Sequence, residues 1–231
     1  MNTPVMMNAL AYLIVPLLLG LWAQWKVKAT FRQWSQVPAR SGVTGAEAAQ
    51  EVLRSARVEG VKIERAEGFL TDHYNPATKT LALSADNYDG TSIAALGIAA
   101  HEAGHALQHA QGYAALGLRS VLVPVTIVAN QVAFWVMLLG GFLINGANPN
   151  YFFLNIAIGA YVVISLFTLI TLPVEFDASA RARKFLSETG LLDAEEDKGA
   201  KAVLDAAAWT YIAAFVAALG NLLYLIGRRR D

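Results

Sequence analysis

The sequence predicts a mainly α membrane protein of about four transmembrane helices, with a small α+β domain between the first and second of them. Three observations carry this. The 231 residues are 55% hydrophobic and 16% charged, with a mean hydropathy of +0.41, too apolar for an ordinary soluble domain. Apolar runs long enough to cross a bilayer alternate with segments of soluble composition. One soluble segment holds His101-Glu102-Ala103-Gly104-His105 inside a run, Ser92 to Gln111, with the periodicity of a single helix.

Composition also excludes. Formal net charge is zero, so no polyanionic partner is indicated, and nothing resembles a nucleic-acid module. The absence of cysteine removes disulfides, thiolate metal sites and cysteine nucleophiles together. Histidine and carboxylates are left as the metal ligands available.

Residues 1–25 are read as the first transmembrane anchor. Ala9 to Trp25 is apolar, with Trp22 and Trp25 at its far end and Lys26 and Lys28 following. A cleaved signal peptide would show a basic start and a small-residue cleavage site, and neither is present. Pro16 is tolerable in a membrane helix.

Residues 26–120 have the composition of a soluble domain. Thr44-Gly45-Ala46-Glu47 is a capping box and opens a helix through Arg57, with Ala49, Val52, Leu53 and Ala56 on one face and Gly60 ending it. Val61 to Glu64 and Lys79 to Leu83 read as strands of a short β-hairpin, with a turn at Tyr74-Asn75-Pro76. Such a hairpin packs on the helices, or offers an edge along which an extended peptide can bind.

The helix carrying the histidines has both ends marked, by Asp89-Gly90-Thr91-Ser92 at the start and Gly112 at the stop. Ile93, Leu96, Ala100, Ala103 and Leu107 form a buried stripe, and His101 lies roughly 100° from it, so the histidines are expected to border the core. Positions four apart on a helix are about one turn apart, so both imidazoles can reach one ion with Glu102 beside it. That is the chemistry of a zinc-dependent peptidase, in which zinc polarises the carbonyl and acidifies a water while the carboxylate takes the proton. Five residues alone would also fit two surface histidines on an ordinary helix. His109 stands ~12 Å further along than His101, too far to share an ion. Gln108 and Gln111 rule out the metzincin spacing.

Residues 121–173 are read as a transmembrane hairpin, Val121 to Ile144 and Phe152 to Leu172, joined by Asn145 to Tyr151. Asn130 and Gln131 are expected to face other helices. Residues 174–205 are a polar helical segment that begins Val174-Glu175-Phe176-Asp177-Ala178-Ser179. Two spans separate His105 from Glu175, which places both on one side of the membrane. Glu175 is the first acid after the histidines, and so the candidate third ligand, although a carboxylate here could equally balance Arg181, Arg183 and Lys184. Residues 206–231 form a fourth transmembrane or interfacial helix with a basic tail, Arg228 to Arg230.

Charge gives an orientation. Segments 26–120 and 174–205 carry 15 of the 18 basic residues, none precedes the first span, and the positive-inside rule therefore puts them in the cytoplasm.

Three stretches carry a resemblance: Thr71 to Pro76 (TDHYNP), Ala95 to Gly112 (ALGIAAHEAGHALQHAQG) with Leu118-Arg119-Ser120, and Leu172 to Ser179 (LPVEFDAS). Together they resemble the neutral zinc metallopeptidases of bacterial membranes, the YugP-like family, and the likeness runs over nearly the whole chain. It implies a gluzincin-type enzyme of the bacterial cell membrane with a zincin-like catalytic domain. His101 and His105 match the family's zinc ligands, Glu102 its general base and Glu175 its third ligand, with Zn2+ as cofactor. Related membrane metallopeptidases read E-x-x-x-D, and position 179 is Ser here. Asp177 then either takes the supporting role of that Asp or is itself the ligand.

His73 and Tyr74 precede the metal helix and are candidates to donate to the oxyanion, or are a turn-stabilising pair. The expected function is a zinc metalloendopeptidase with peptide or membrane-protein substrates in a lipid bilayer. A non-catalytic, metal-stabilised membrane scaffold is the alternative, disfavoured because structural zinc needs no Glu102. An intramembrane protease is disfavoured because Ile93 to Ala100 falls far short of the ~20 apolar residues of a span.

Overall fold

The computed structural model describes the backbone of residues 3–144 and 151–230, and the side chains of residues 12–139 and 151–229. In chain order the elements are α1 (Thr3–Trp34), α2 (Gly45–Ser55), β1 (Lys62–Ala66), β2 (His73–Asn75), β3 (Thr80–Ser84), α3 (Ala85–Tyr88), α4 (Ile93–Ala110), α5 (Ala114–Ile144), α6 (Tyr151–Glu188) and α7 (Ala194–Arg230). They divide into two compact units, one of Gln24–Gly117 with Pro173–Trp209, the other of Met1–Ala23, Leu118–Leu172 and Thr210–Asp231.

The first unit is built around α4. The Ser92 hydroxyl accepts from the Ala95 amide to cap it, and beyond the Gln111 cap Gly112 turns the chain with φ of 63°. Thr44 caps α2 as a full capping box, accepting from the Glu47 amide at 3.2 Å while the Glu47 carboxylate accepts from the Thr44 amide at 2.7 Å. The helix stops at Ser55, short of the expected Arg57, because Arg57 itself takes a left-handed φ of 56°.

One core joins Val52 and Leu53 of α2, Leu81 and Leu83 of β3, Leu96, Ala103 and Leu107 of α4, Leu186 of α6 and Leu204 of α7. Burial of α4 extends beyond the expected stripe to Ala99, Gly104, His105 and Gln108. The reason is that α6 and α7 also pack on it. Gly97 faces Ala200, and a Cβ on Gly104 would stand 2.6 Å from the Ala178 carbonyl oxygen. His105 is accordingly buried rather than at the border of the core.

The sheet departs from the expected hairpin. Its order is β1-β3-β2, with β1 parallel to β3 and β2 antiparallel to it. The two strands expected to form the hairpin thus pair in parallel, and Tyr74 and Asn75, expected in the turn, lie in β2. A parallel pair needs a crossover, and here the crossover contributes its own strand. The turn comes after Asn75, whose side-chain oxygen accepts from the amides of Ala77 and Thr78.

Three helices among the described residues are long and apolar enough to cross a membrane, Ala114–Leu139, Tyr151–Glu188 and Ala194–Arg229, rather than four, and their apolar parts belong to the other unit. The amino-terminal anchor falls on α1, and its side chains through residue 11 lie outside the described residues, as does the loop 145–150. Small residues, Ala129, Ala133, Ala160 and Ala218, form one packing cluster, and Leu154, Ala157 and Leu225 another. Val121, Ile127, Val128 and Leu166 remain exposed, a surface suited to lipid. Asn130 and Gln131 are exposed too, instead of facing other helices. Asn130 meets its need locally, its amide donating to the Thr126 carbonyl at 2.9 Å. Neither Pro16, Pro124 nor Pro173 ends its helix, so α6 carries on from its apolar run into the polar segment.

Candidate metal centre

His101 and His105 stand one turn apart on α4 with ring centroids 4.8 Å apart. Glu175 enters from α6. Its Oε2 lies 3.2 Å from His101 Nε2 and 3.6 Å from His105 Nε2, so both imidazoles point at one carboxylate oxygen. Among the described residues, His101, His105 and Glu175 form the one group of at least three such side chains able to hold a metal ion, with ligand atoms all within 4.8 Å of one another.

The donor set fits zinc. Two ligand atoms ~2.0–2.1 Å from one tetrahedral ion stand about 3.3–3.4 Å apart, a spacing that falls between these two contacts. Two neutral imidazoles and one carboxylate are also the zinc shell of several hydrolases that keep a fourth position open.

Both histidines have their outer nitrogens engaged, which leaves Nε2 of each facing the cluster. His101 Nδ1 is 3.1 Å from Ser179 Oγ, and His105 Nδ1 is 3.0 Å from Gln108 Oε1. Ser179 lies one turn beyond Glu175 on α6, matching the one-turn spacing of the histidines on α4. Ser179 thus gives His101 a partner, and the sequence offered no sign that a hydroxyl would serve.

Asp177 stands outside the cluster. Its Oδ2 accepts from Gln108 Nε2 at 2.8 Å and from Arg181 Nε at 2.5 Å. Glu102 is buried, next to His101 on α4. Burial alone would push the His105 imidazole down, but the hydrogen bond to Glu175, the charges of Glu102 and Glu175 and the contact with Gln108 outweigh it and raise its pKa.

His73 is exposed on β2, its Nδ1 2.8 Å from the Thr71 carbonyl. Tyr74 is half-buried, and its hydroxyl is 2.9 Å from His109 Nδ1. The desolvated phenol has a raised pKa and stays protonated. His109 is no member of the metal cluster, as its distance along the helix predicts, and serves Tyr74 instead.

A His-His-Glu cluster on two packed helices, with His105 and Glu175 buried, in a chain with apolar helices able to span a bilayer, defines a class, and similarity to known proteins agrees with it. Residues 9–230 match the family described as "Putative neutral zinc metallopeptidase", and the chain belongs to that family. It is also 42% identical over 213 residues, 92% of each chain, to the "Putative membrane protease YugP" of Bacillus subtilis (strain 168). No solved structure matches it.

Proposed function

We propose that the protein is a gluzincin-type zinc metalloendopeptidase with a zincin-like catalytic domain, cleaving peptide or membrane-protein substrates near the membrane surface. The observation that carries this reading is the convergence of His101 and His105 Nε2 on one Glu175 oxygen, beside a buried Glu102. Zinc held there supplies Lewis acidity and a water of pKa near ~7. Glu102 would be the base that takes a proton from the attacking water and returns it to the leaving amine. Tyr74, its phenol kept protonated by burial and held beside His109, and His73 are the side chains offered as donors to the oxyanion. The lysines and arginines flanking the spans favour a cytoplasmic site.

The test pairs metal analysis with peptide hydrolysis. Wild type should hold one zinc and turn over, and Glu102→Gln should hold the zinc and lose turnover. Zinc retained by both with hydrolysis by neither would replace the enzyme with the metal-stabilised scaffold.

A further inference from the structure

We propose that Gln108 is a positioning residue that sets the tautomer of His105 and ties it to the helix carrying Glu175. This rests on the metal reading above and adds to it a residue outside the ligand set.

Gln108 is fully buried, and each polar atom of its amide has a defined partner. Nε2 donates to the Val174 carbonyl at 2.8 Å and to Asp177 Oδ2 at 2.8 Å. A backbone carbonyl can only accept, and an ionised carboxylate can only accept. The amide therefore has one orientation. Turned over, it would set its oxygen against two acceptors where no water can relieve them.

With NH2 committed, Oε1 is the atom that meets His105 Nδ1 at 3.0 Å, and an amide oxygen accepts. Nδ1 of His105 must carry the hydrogen. Nε2 is then left with its lone pair toward His101 and Glu175, the form a metal requires. Ser179 imposes no such choice on His101, since a hydroxyl can donate or accept.

The second acceptor gives the arrangement its reach. Val174 immediately precedes Glu175, so one amide references a ligand on α4 to the backbone that presents a ligand on α6. Asp177 holds the other hydrogen of that amide and is itself held by Arg181.

The experiment uses the full chain in detergent micelles with wild type, Gln108→Met, which is close in volume, and Gln108→Asn, which keeps an amide but shortens its reach. Zinc affinity is read by chelator competition, and ring-nitrogen NMR of 15N-histidine-labelled, zinc-free protein at alkaline pH reads the tautomer. The expected result is a wild-type His105 protonated at Nδ1. Both variants should move toward the Nε2-protonated form and bind zinc ~10–100-fold more weakly, the usual effect of losing such a partner. A purely structural role would not move the tautomer. Zinc-binding wild type with His105 protonated at Nε2, or variants with unchanged zinc affinity, would overturn the role of Gln108 and leave the metal site standing. A wild type that binds no zinc would overturn the metal reading, and this inference with it.

Discussion

Glu175 and Asp177 lie two residues apart on one helix, and at roughly 200° of rotation they cannot face the same way. Glu175 meets the two histidines, whereas Asp177 meets Gln108 and Arg181. Replacing each should therefore have different consequences. Glu175→Ala is expected to strip the metal through gel filtration, while Asp177→Ala keeps it at an affinity lowered by no more than about tenfold. Metal analysis of the eluted protein decides between them, and full occupancy in Glu175→Ala would remove it from the ligand set. Ser179→Ala belongs to the same scale. It takes the partner from His101 Nδ1 without touching Glu175, so chelator competition should show weakened zinc binding with the fold unchanged.

Among elements, the decisive contact is between α4 and α6. Gly104 sits between the two histidines, and the missing side chain lets the Ala178 backbone come close enough that an added Cβ would be 2.6 Å from its carbonyl oxygen. Backbone cannot swing aside as a flexible side chain can. Gly104→Ala should push α6 outward, costing about 1–3 kcal/mol by overpacking and moving Glu175 from the histidines. A thermal melt and a zinc titration read the two effects, and a variant matching wild type in both would show that the approach is not needed. The capping box at the start of α2 is a separate case. Thr44→Ala removes the acceptor for the Glu47 amide and should cost about 1 kcal/mol in the same melt, with zinc affinity unaltered.

For the whole molecule, the exposed apolar residues of α5 and α6 call for lipid, and the chain has no native thiol to confuse a labelling experiment. The reporter belongs at Thr78, exposed in the turn between β2 and β3. On the proposed cytoplasmic placement of the unit that carries α4, Thr78→Cys should resist a membrane-impermeant thiol reagent on intact cells and react once the cells are opened. Labelling from outside would reverse the orientation. Zinc held by His101, His105 and Glu175 would join α4 to α6, so removing it should also lower the melting temperature, a ligand at a thousand times its Kd adding about 4 kcal/mol. An unchanged melt after chelation would speak against a metal that bridges those helices.

Features encoded within one stretch of chain are legible in the sequence itself. The α4 helix with its Ser92 cap, the Thr44 capping box, the apolar runs and the pair of histidines one turn apart depend on spacing along a single element, and spacing is written in sequence. The candidate third carboxylate can also be named, because a chain without cysteine and without an acid between His105 and Glu175 offers few choices. Tertiary structure alone decided what depends on how elements turn toward one another. It paired β1 with β3 in parallel, drew Tyr74 into a strand, buried His105, and turned Glu175 rather than Asp177 toward it. In the sequence Gln108 stands out only as a residue that excludes the metzincin spacing, because its partners Val174 and Asp177 lie 66 and 69 positions away. Which acceptors a buried amide meets is set by the rotation and approach of two helices, and neither helix contains that information by itself.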